Sequence, residues 1–281
     1  STAWTGIGWT PQRPSYKELP SNGVSETAYS SGNAVMTGNL LLLHLNDGSG
    51  VSSFADSSGN SNTGSCSGTN CPTYTSSGKF GGAYTFDGVN DYIAVSPTNP
   101  VTAVSAMAWF RWLGVPLNNY HIVFGPSDTE ISISSSGNLR VGIVNTSNSR
   151  YVFNSGSGLN DGNWHHVAMT YSGSKLVAYL DGVATGQRNV SGNLRGTVTA
   201  VGRYGLSPNY WANGNIDEAA VFGRALSATE INNIYRRGAN RLKFQVRSCD
   251  DSACYGESFI GPDGTGSTYY TELSNSSVGL P

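Results

Sequence analysis

Between residues 83 and 222, short runs of alternating apolar and polar residues recur, each bounded by Gly, Asn, Asp or Ser. A period of two predicts half-buried β-strands. Ala83–Phe86 and Asp91–Val95 flank the turn residues Asp87-Gly88-Val89-Asn90, and Val104–Trp112, Tyr120–Phe124, Thr129–Ser134 and Leu139–Val144 follow. Asn163–Tyr171, Lys175–Leu180, Thr197–Val201 and Asn215–Phe222 continue the series. Strands every 8–12 residues or so, without helices between them, predict an all-β protein built as an antiparallel sandwich or jelly roll. Upstream, Leu40-Leu41-Leu42-Leu43-His44-Leu45 reads as a buried strand, being too short to span a bilayer.

One helix interrupts the strand pattern. Ser227-Ala228-Thr229-Glu230 has capping-box spacing, Ile231, Ile234 and Tyr235 form an apolar stripe, and Gly238 is placed to end it. Before Asn39, Pro11, Pro14 and Pro20 discourage helix and central strand alike. The expected organisation is an extended arm over 1–38, a jelly-roll domain over 39–240, and a small β segment over 241–281 that could pair with the arm. In this last segment Arg241–Arg247 alternates as a strand and Cys249 to Cys254 forms a tight loop. Tyr16–Asn22 echoes Tyr270–Ser276, and Ile7-Gly8 echoes Ile260-Gly261, as related half-modules of a head-to-tail array would.

Composition narrows the class. With 36 glycines and only 12% charged residues, the chain has the profile of an exported β protein. A net charge of −2 gives no electrostatic reason to expect nucleic acid or an anionic membrane as partner. No apolar run reaches the roughly 20 residues of a membrane span, and no cleavable signal is present. The cysteines form two identically spaced pairs, Cys66/Cys71 and Cys249/Cys254. Pairing within each gives two small disulfide loops and an oxidising, extracellular setting; the rival, a four-cysteine zinc site, prefers tighter spacing.

Candidate chemistry falls in two loops. After Leu45, the stretch from Asn46 through Asp56 to Asn62 is dense in hard oxygen donors and flexible enough to fold around a cation. The segment 203–213 carries Arg203, Tyr204, Tyr210, Trp211 and Asn213, the aromatic and planar polar groups that a sugar ring is recognised by. The turn Asn118-Asn119-Tyr120-His121 is a weaker candidate of the same kind. Catalytic residues are not expected. Glycosidases need two carboxyls about 5–9.5 Å apart; Glu130 stands alone among the strands before Ser135, and adjacent Asp217 and Glu218 should face opposite sides of a strand. The same alternation keeps His165 and His166 from converging on one ion. No nucleophile elbow or phosphate cradle is present.

Four segments carry a family resemblance: Phe86-Asp87-Gly88-Val89-Asn90-Asp91-Tyr92-Ile93, Trp164-His165-His166-Val167-Ala168-Met169-Thr170-Tyr171, Tyr179-Leu180-Asp181-Gly182, and Ile216-Asp217-Glu218-Ala219-Ala220-Val221-Phe222 through Arg224-Ala225-Leu226-Ser227. Together they resemble laminin-G-like domains of the concanavalin A-like lectin/glucanase superfamily. The resemblance implies a jelly roll over about 39–240 and a structural role for the Trp-His-His strand. It further implies one calcium ion near the rim, held by Asp56 and Asp217, with the Gly59 carbonyl, Asn60 and Asn62 as the nearest supporting ligands. The Glu-x-Asp-x-(x)-Glu strand of the glucanase branch is missing. Two functions are consistent with these observations. One is a calcium-stabilised, non-catalytic extracellular module for glycan binding or cell adhesion. The other is a subunit of an extracellular filament or surface array, assembled by donating the N-terminal arm as a strand to a neighbour.

Overall fold

The computed structural model describes residues 7–8, 11–95, 102–115, 120–125, 128–196, 198–204, 210–249, 252–271 and 277–278. In chain order the strands are β1 Ile7–Gly8, β2 Asn39–Leu43, β3 Ser53–Phe54, β4 Gly64–Ser65, β5 Thr73–Phe80, β6 Gly82–Asp87, β7 Ile93–Ala94, β8 Val104–Trp112, β9 Tyr120–Gly125 and β10 Thr129–Ser134. Then come β11 Leu139–Val144, β12 Arg150–Ser155, β13 Trp164–Tyr171, β14 Lys175–Leu180, β15 Val183–Asn189, β16 Ala200–Val201 and β17 Asn213–Phe222. Helix α1, Ala228–Ala239, precedes β18 Lys243–Phe244, β19 Tyr270–Thr271 and β20 Ser277–Val278.

Two eight-stranded antiparallel sheets form the sandwich, as the alternation predicts. One runs β12-β11-β10-β9-β16-β7-β4-β3; the other runs β15-β14-β13-β8-β17-β6-β5, with β2 also on β17. Alternate residues fill the space between them: Ile131 and Ile133 from β10, Leu139, Val141 and Ile143 from β11, Val167, Met169 and Tyr171 from β13. Each such side chain, fully buried, contributes roughly 1.5–3 kcal/mol. Three longer strands escaped the sequence pattern, β5, β12 and β15, as did the two-residue strands β1, β3, β4, β19 and β20. The three longer ones bury few side chains because they lie at sheet ends, β5 and β15 closing one sheet and β12 the other.

A second apolar layer covers the outer face of the β2/β8/β13/β17 sheet. Leu42, Met107, Ala168, Ala220 and Phe222 meet Ile231 and Ile234 of α1 and Leu19 from the N-terminal segment. The helix begins with the expected capping box: Ser227 N–H donates to Glu230 Oε2 at 2.8 Å, and Glu230 N–H to Ser227 Oγ at 3.2 Å.

Strand β17 contains the irregularity that matters most. Its first half pairs with β6, its second half with β2, and its register on β8 shifts by one residue between Asp217 and Ala220. Glu218, at φ +51°, is the extra residue of this bulge. Ile216 and Ala219 consequently both face the inter-sheet core, and the strict alternation expected for Asp217 and Glu218 does not hold.

The chain divides into two compact units. The sandwich unit holds Glu18–Glu26 and Ala34–Tyr235. The other comprises Ser1–Lys17, Thr27–Asn33 and Arg236–Pro281, so the N-terminal segment contributes to both. Within that second unit, β1 pairs antiparallel with β20, and β18 with β19, where Phe244 stacks on Tyr270. Arg237 is buried there, its Nε donating to the Lys17 carbonyl at 2.9 Å. Of the echoing segment Tyr270–Ser276, residues 272–276 lie outside the described residues.

Both disulfides form within their pairs, Cys66–Cys71 and Cys249–Cys254, which removes the zinc alternative. Among the described residues no helix is long and apolar enough to cross a membrane.

Candidate functional site

The outer face of the β9–β12 sheet carries a pocket lined by Tyr120, Ile122, Glu130, Arg140, Arg150, Tyr204 and Tyr210. Its cavity volume is about 90 Å³, and it opens to solvent. The strands build it by register. Ser132 pairs with Arg140, Glu130 with Gly142, and Gly142 in turn with Val152, so the residues between the core-facing isoleucines and valines present a polar outer surface. Gly142 leaves room for the cross-strand Val152 side chain, since a Cβ there would lie 2.4 Å from Val152 Cγ1.

Glu130 is 2% exposed, although it points away from the inter-sheet core. Arg150 donates to its Oε2 at 2.5 Å and Ser132 Oγ–H to its Oε1 at 2.7 Å, while Arg140 Nε stands 3.4 Å from Oε1. Each guanidinium also lies over a tyrosine ring, Arg140 4.7 Å from the centroid of Tyr120 and Arg150 5.5 Å from that of Tyr204. Tyr210 closes the wall, 5.8 Å from Tyr204 in an edge-on contact and 6.3 Å from Tyr120. Burial raises the pKa of Tyr204, against the opposing pull of the Arg150 charge, so the hydroxyl remains a neutral donor and acceptor. The pocket therefore offers aromatic faces, hydroxyls, guanidinium donors and one carboxylate.

Two of the five aromatic-loop candidates, Tyr204 and Tyr210, line this pocket. The other three hold the loop in place. Arg203 lies 3.8 Å over the ring of Tyr92 and pairs by its backbone with Trp211, whose indole is 6.1 Å from the same ring. Asn213 N–H donates to His121 Nδ1 at 3.0 Å, and its side chain donates to the Val115 carbonyl. Residues 205–209 of the loop lie outside the described residues, as do Asn118 and Asn119 of the weaker candidate turn. From that turn Tyr120 reaches the pocket, whereas His121 is fully buried against Trp112, and burial lowers its pKa to about 3. Sequence reasoning missed Arg140 and Arg150 and left Glu130 without partners. Their signal is a polar residue on the outer face of three successive hairpin strands, which becomes readable only once the register is known.

The expected calcium set does not fit its residues. Both oxygens of Asp56 are already filled by donors: Leu42 N–H and Ser58 N–H on Oδ1 at 3.0 and 2.9 Å, Asn62 N–H and Ser58 Oγ–H on Oδ2 at 2.8 Å each. The amides of Asn60 and Asn62 donate to the carbonyls of Asn39 and Leu40. Gly59, at φ +88°, supplies the left-handed turn and packs against Asn22. The loop is thus an anion cradle for Asp56 that fastens the β2 edge, and N–H groups aimed at a carboxylate disfavour a cation there. Asp217 is engaged elsewhere, its Oδ2 accepting from Lys79 N–H at 2.7 Å and Phe80 N–H at 3.0 Å. Burial, and next the charge of Glu218, push its carboxyl well above the usual carboxylate range.

Among the described residues one His/Asp/Glu trio does bring its ligand atoms together, Glu18, His44 and Glu218, within 4.8 Å of one another. Every member has a protein partner. His44 Nδ1 bonds Glu218 Oε1, His44 Nε2 meets Ser21 Oγ at 3.2 Å, Leu19 N–H donates to Glu218 Oε2 at 3.0 Å, and Asn46 donates to Glu18. Burial works against charging His44, but the bond to Glu218 and the charges of Glu218, Glu18 and Asp47 outweigh it and raise its pKa. This network clasps the N-terminal segment to the β2/β17 junction.

His165 and His166 face opposite ways. His165 bonds Asp181 at 2.8 Å and Asp161 at 3.0 Å, while His166 is buried beside Trp109, burial lowering its pKa to about 4.

A family model described as the concanavalin A-like lectin/glucanases superfamily matches residues 87–232, just over half of the chain. No curated protein sequence matches it. Among solved structures, the binding domain of Paraclostridial Mosquitocidal Protein 1 superposes with a TM-score of 0.58 at 13% identity, covering 75% of this chain and 57% of that one. For the botulinum neurotoxin serotype G binding domain the values are 0.54 and 14%, covering 74% and 55%. Domain 4 of AbnA, a GH43 extracellular arabinanase from Geobacillus stearothermophilus solved in complex with arabinotriose, gives 0.52 and 19%, covering 70% and 98%. The chain spans little more than half the length of the first two domains, and at these identities the likeness is one of fold.

Proposed function

Because the chain belongs to the concanavalin A-like lectin/glucanases superfamily, we propose that its tyrosine-walled pocket binds carbohydrate without cleaving it. The observation that carries this reading is the pairing of three tyrosine rings with a buried Glu130 held between two arginines. Sugar rings present apolar C–H faces that lie against aromatic rings, and hydroxyls that need donors and acceptors at fixed positions. The neighbour solved with arabinotriose supports carbohydrate as the ligand class. Binding without hydrolysis follows from the charge arrangement: Glu130 is the one carboxylate among the described lining residues, and glycoside hydrolysis needs a second some 5–9.5 Å away. Two disulfides support an exported protein acting outside the cell.

The filament alternative would require β1 to exchange partners between chains, and in the structure it pairs with β20 of its own chain. The test of the pocket is a glycan array probed with the intact protein and with Tyr204→Ala and Tyr210→Ala. Both variants should keep the melting temperature within a few degrees and lose the array signal. Full signal from both variants would remove the pocket from consideration.

A further inference from the structure

We propose that the pocket selects sugars bearing a carboxylate, of the uronic or sialic acid class, through the free donors of Arg140 and Arg150. The proposal rests on the carbohydrate reading of the same pocket. Its starting point is a charge count: among the described lining residues two guanidiniums face one carboxylate, an excess of one positive charge on a protein whose net charge is −2. The arginines are also short of partners. Among the described residues the Arg140 side chain faces Glu130 Oε1 at 3.4 Å without a closer bond, and the Arg150 side chain makes one hydrogen bond, to Glu130 Oε2. A guanidinium carries five N–H donors in a rigid plane, so both side chains, which line the pocket, keep donors that Glu130 does not take up.

The surroundings favour a planar anion over more hydroxyls. Both guanidiniums lie over tyrosine rings, which limits the water that can reach them from that side. A charge-assisted, two-pronged bond from arginine to carboxylate is roughly twice as strong as a bond to a neutral oxygen. Glu130 acts as the positioning residue: buried, and bonded by Ser132 as well as Arg150, it holds the fork at the pocket floor without consuming it. The neighbouring charges do not oppose an anion. Asp128 is tied to Arg195 by paired bonds from Nε and Nη2. A pyranose lying on Tyr204 or Tyr210 would then direct its carboxylate toward the Arg140/Arg150 pair.

The experiment compares matched ligands by calorimetry on the full chain: trigalacturonate against its carboxyl-reduced form, and 3′-sialyllactose against lactose. At least one acid should bind tenfold or more tightly than its neutral match, and the difference should shrink as salt rises. Arg140→Gln should abolish the preference, leaving the acid and its neutral match at the same affinity. Arg150→Lys, which keeps a cation beside Glu130, should lose most of the preference and guards against misfolding of a charge-removing variant. Equal binding of acid and neutral ligands, abolished by Tyr210→Ala, would overturn the carboxylate proposal and leave the carbohydrate reading standing. Binding that survives both Tyr204→Ala and Tyr210→Ala would overturn both. A preference for sulfated over carboxylated sugars, or no binding of either acid, also overturns the proposal.

Discussion

Glu130 and Glu218 are both buried, 2% and 4% exposed, and both belong to the outer side of their sheets, yet their surroundings differ in kind. Glu130 is partnered by two permanent cations whose remaining donors open into a pocket. Glu218 sits on a bulge with one oxygen on His44 and the other on the Leu19 amide, in a network whose other members are also paired. An unspent hydrogen-bonding capacity beside aromatic rings marks a place for a ligand; a closed network marks a fastening. Two buried acids of the same type thus serve opposite purposes, and the partners tell them apart.

The comparison predicts a hierarchy of effects. Glu218→Ala strands His44 and the Leu19 amide, so it should cost about 3 kcal/mol or more in urea denaturation. Glu130→Ala should cost less, on the order of 1 kcal/mol, since the arginines it releases can rehydrate through the open pocket. An equal or reversed ranking would erase the distinction between site and fastening. Asp56→Ala removes four hydrogen bonds and should destabilise by about 2 kcal/mol. That loss should be the same in calcium and in a chelator; a calcium-dependent rise in the melting temperature of the intact protein, absent from the variant, would restore the metal to this loop.

The smallest effect is a pH dependence. The folded-state pKa of His44 is raised, so the native state holds the proton more tightly than an unfolded histidine near 6.5. Its contribution is complete below about pH 6.5 and is lost as pH rises through the folded value. The stability difference between the intact protein and His44→Gln should therefore be largest near pH 6, about 1 kcal/mol, and shrink toward pH 9. A difference that grows with pH would mean the clasp does not depend on a charged imidazole.

Legibility in the sequence followed burial. Val104–Trp112, Thr129–Ser134, Leu139–Val144 and Lys175–Leu180 coincide with β8, β10, β11 and β14, because each strand turns alternate apolar residues to the inter-sheet core. The edge strands β5, β12 and β15 lack that constraint, and with β12 went Arg150. Tyr204 and Tyr210 were found by content alone, an aromatic-rich loop, while Arg140 and Glu130 needed cross-strand register to become neighbours. The bulge defeated the period-two rule at Asp217 and Glu218, since a glutamate at positive φ leaves no mark that a glycine would. The Asp56 loop was legible as polar but not as anionic cradle or cation site, because the direction of its amides is set by the fold.

The central claim is the location of binding, and heteronuclear NMR titration with the strongest glycan from the array tests it most directly. Ligand-induced shifts should centre on the backbone amides of Tyr120, Ile122, Arg140, Arg150, Tyr204 and Tyr210. Shifts confined instead to Leu19, Ser21, His44 and Asn46, around the closed network, would contradict the assignment of the two glutamates and the function built on it.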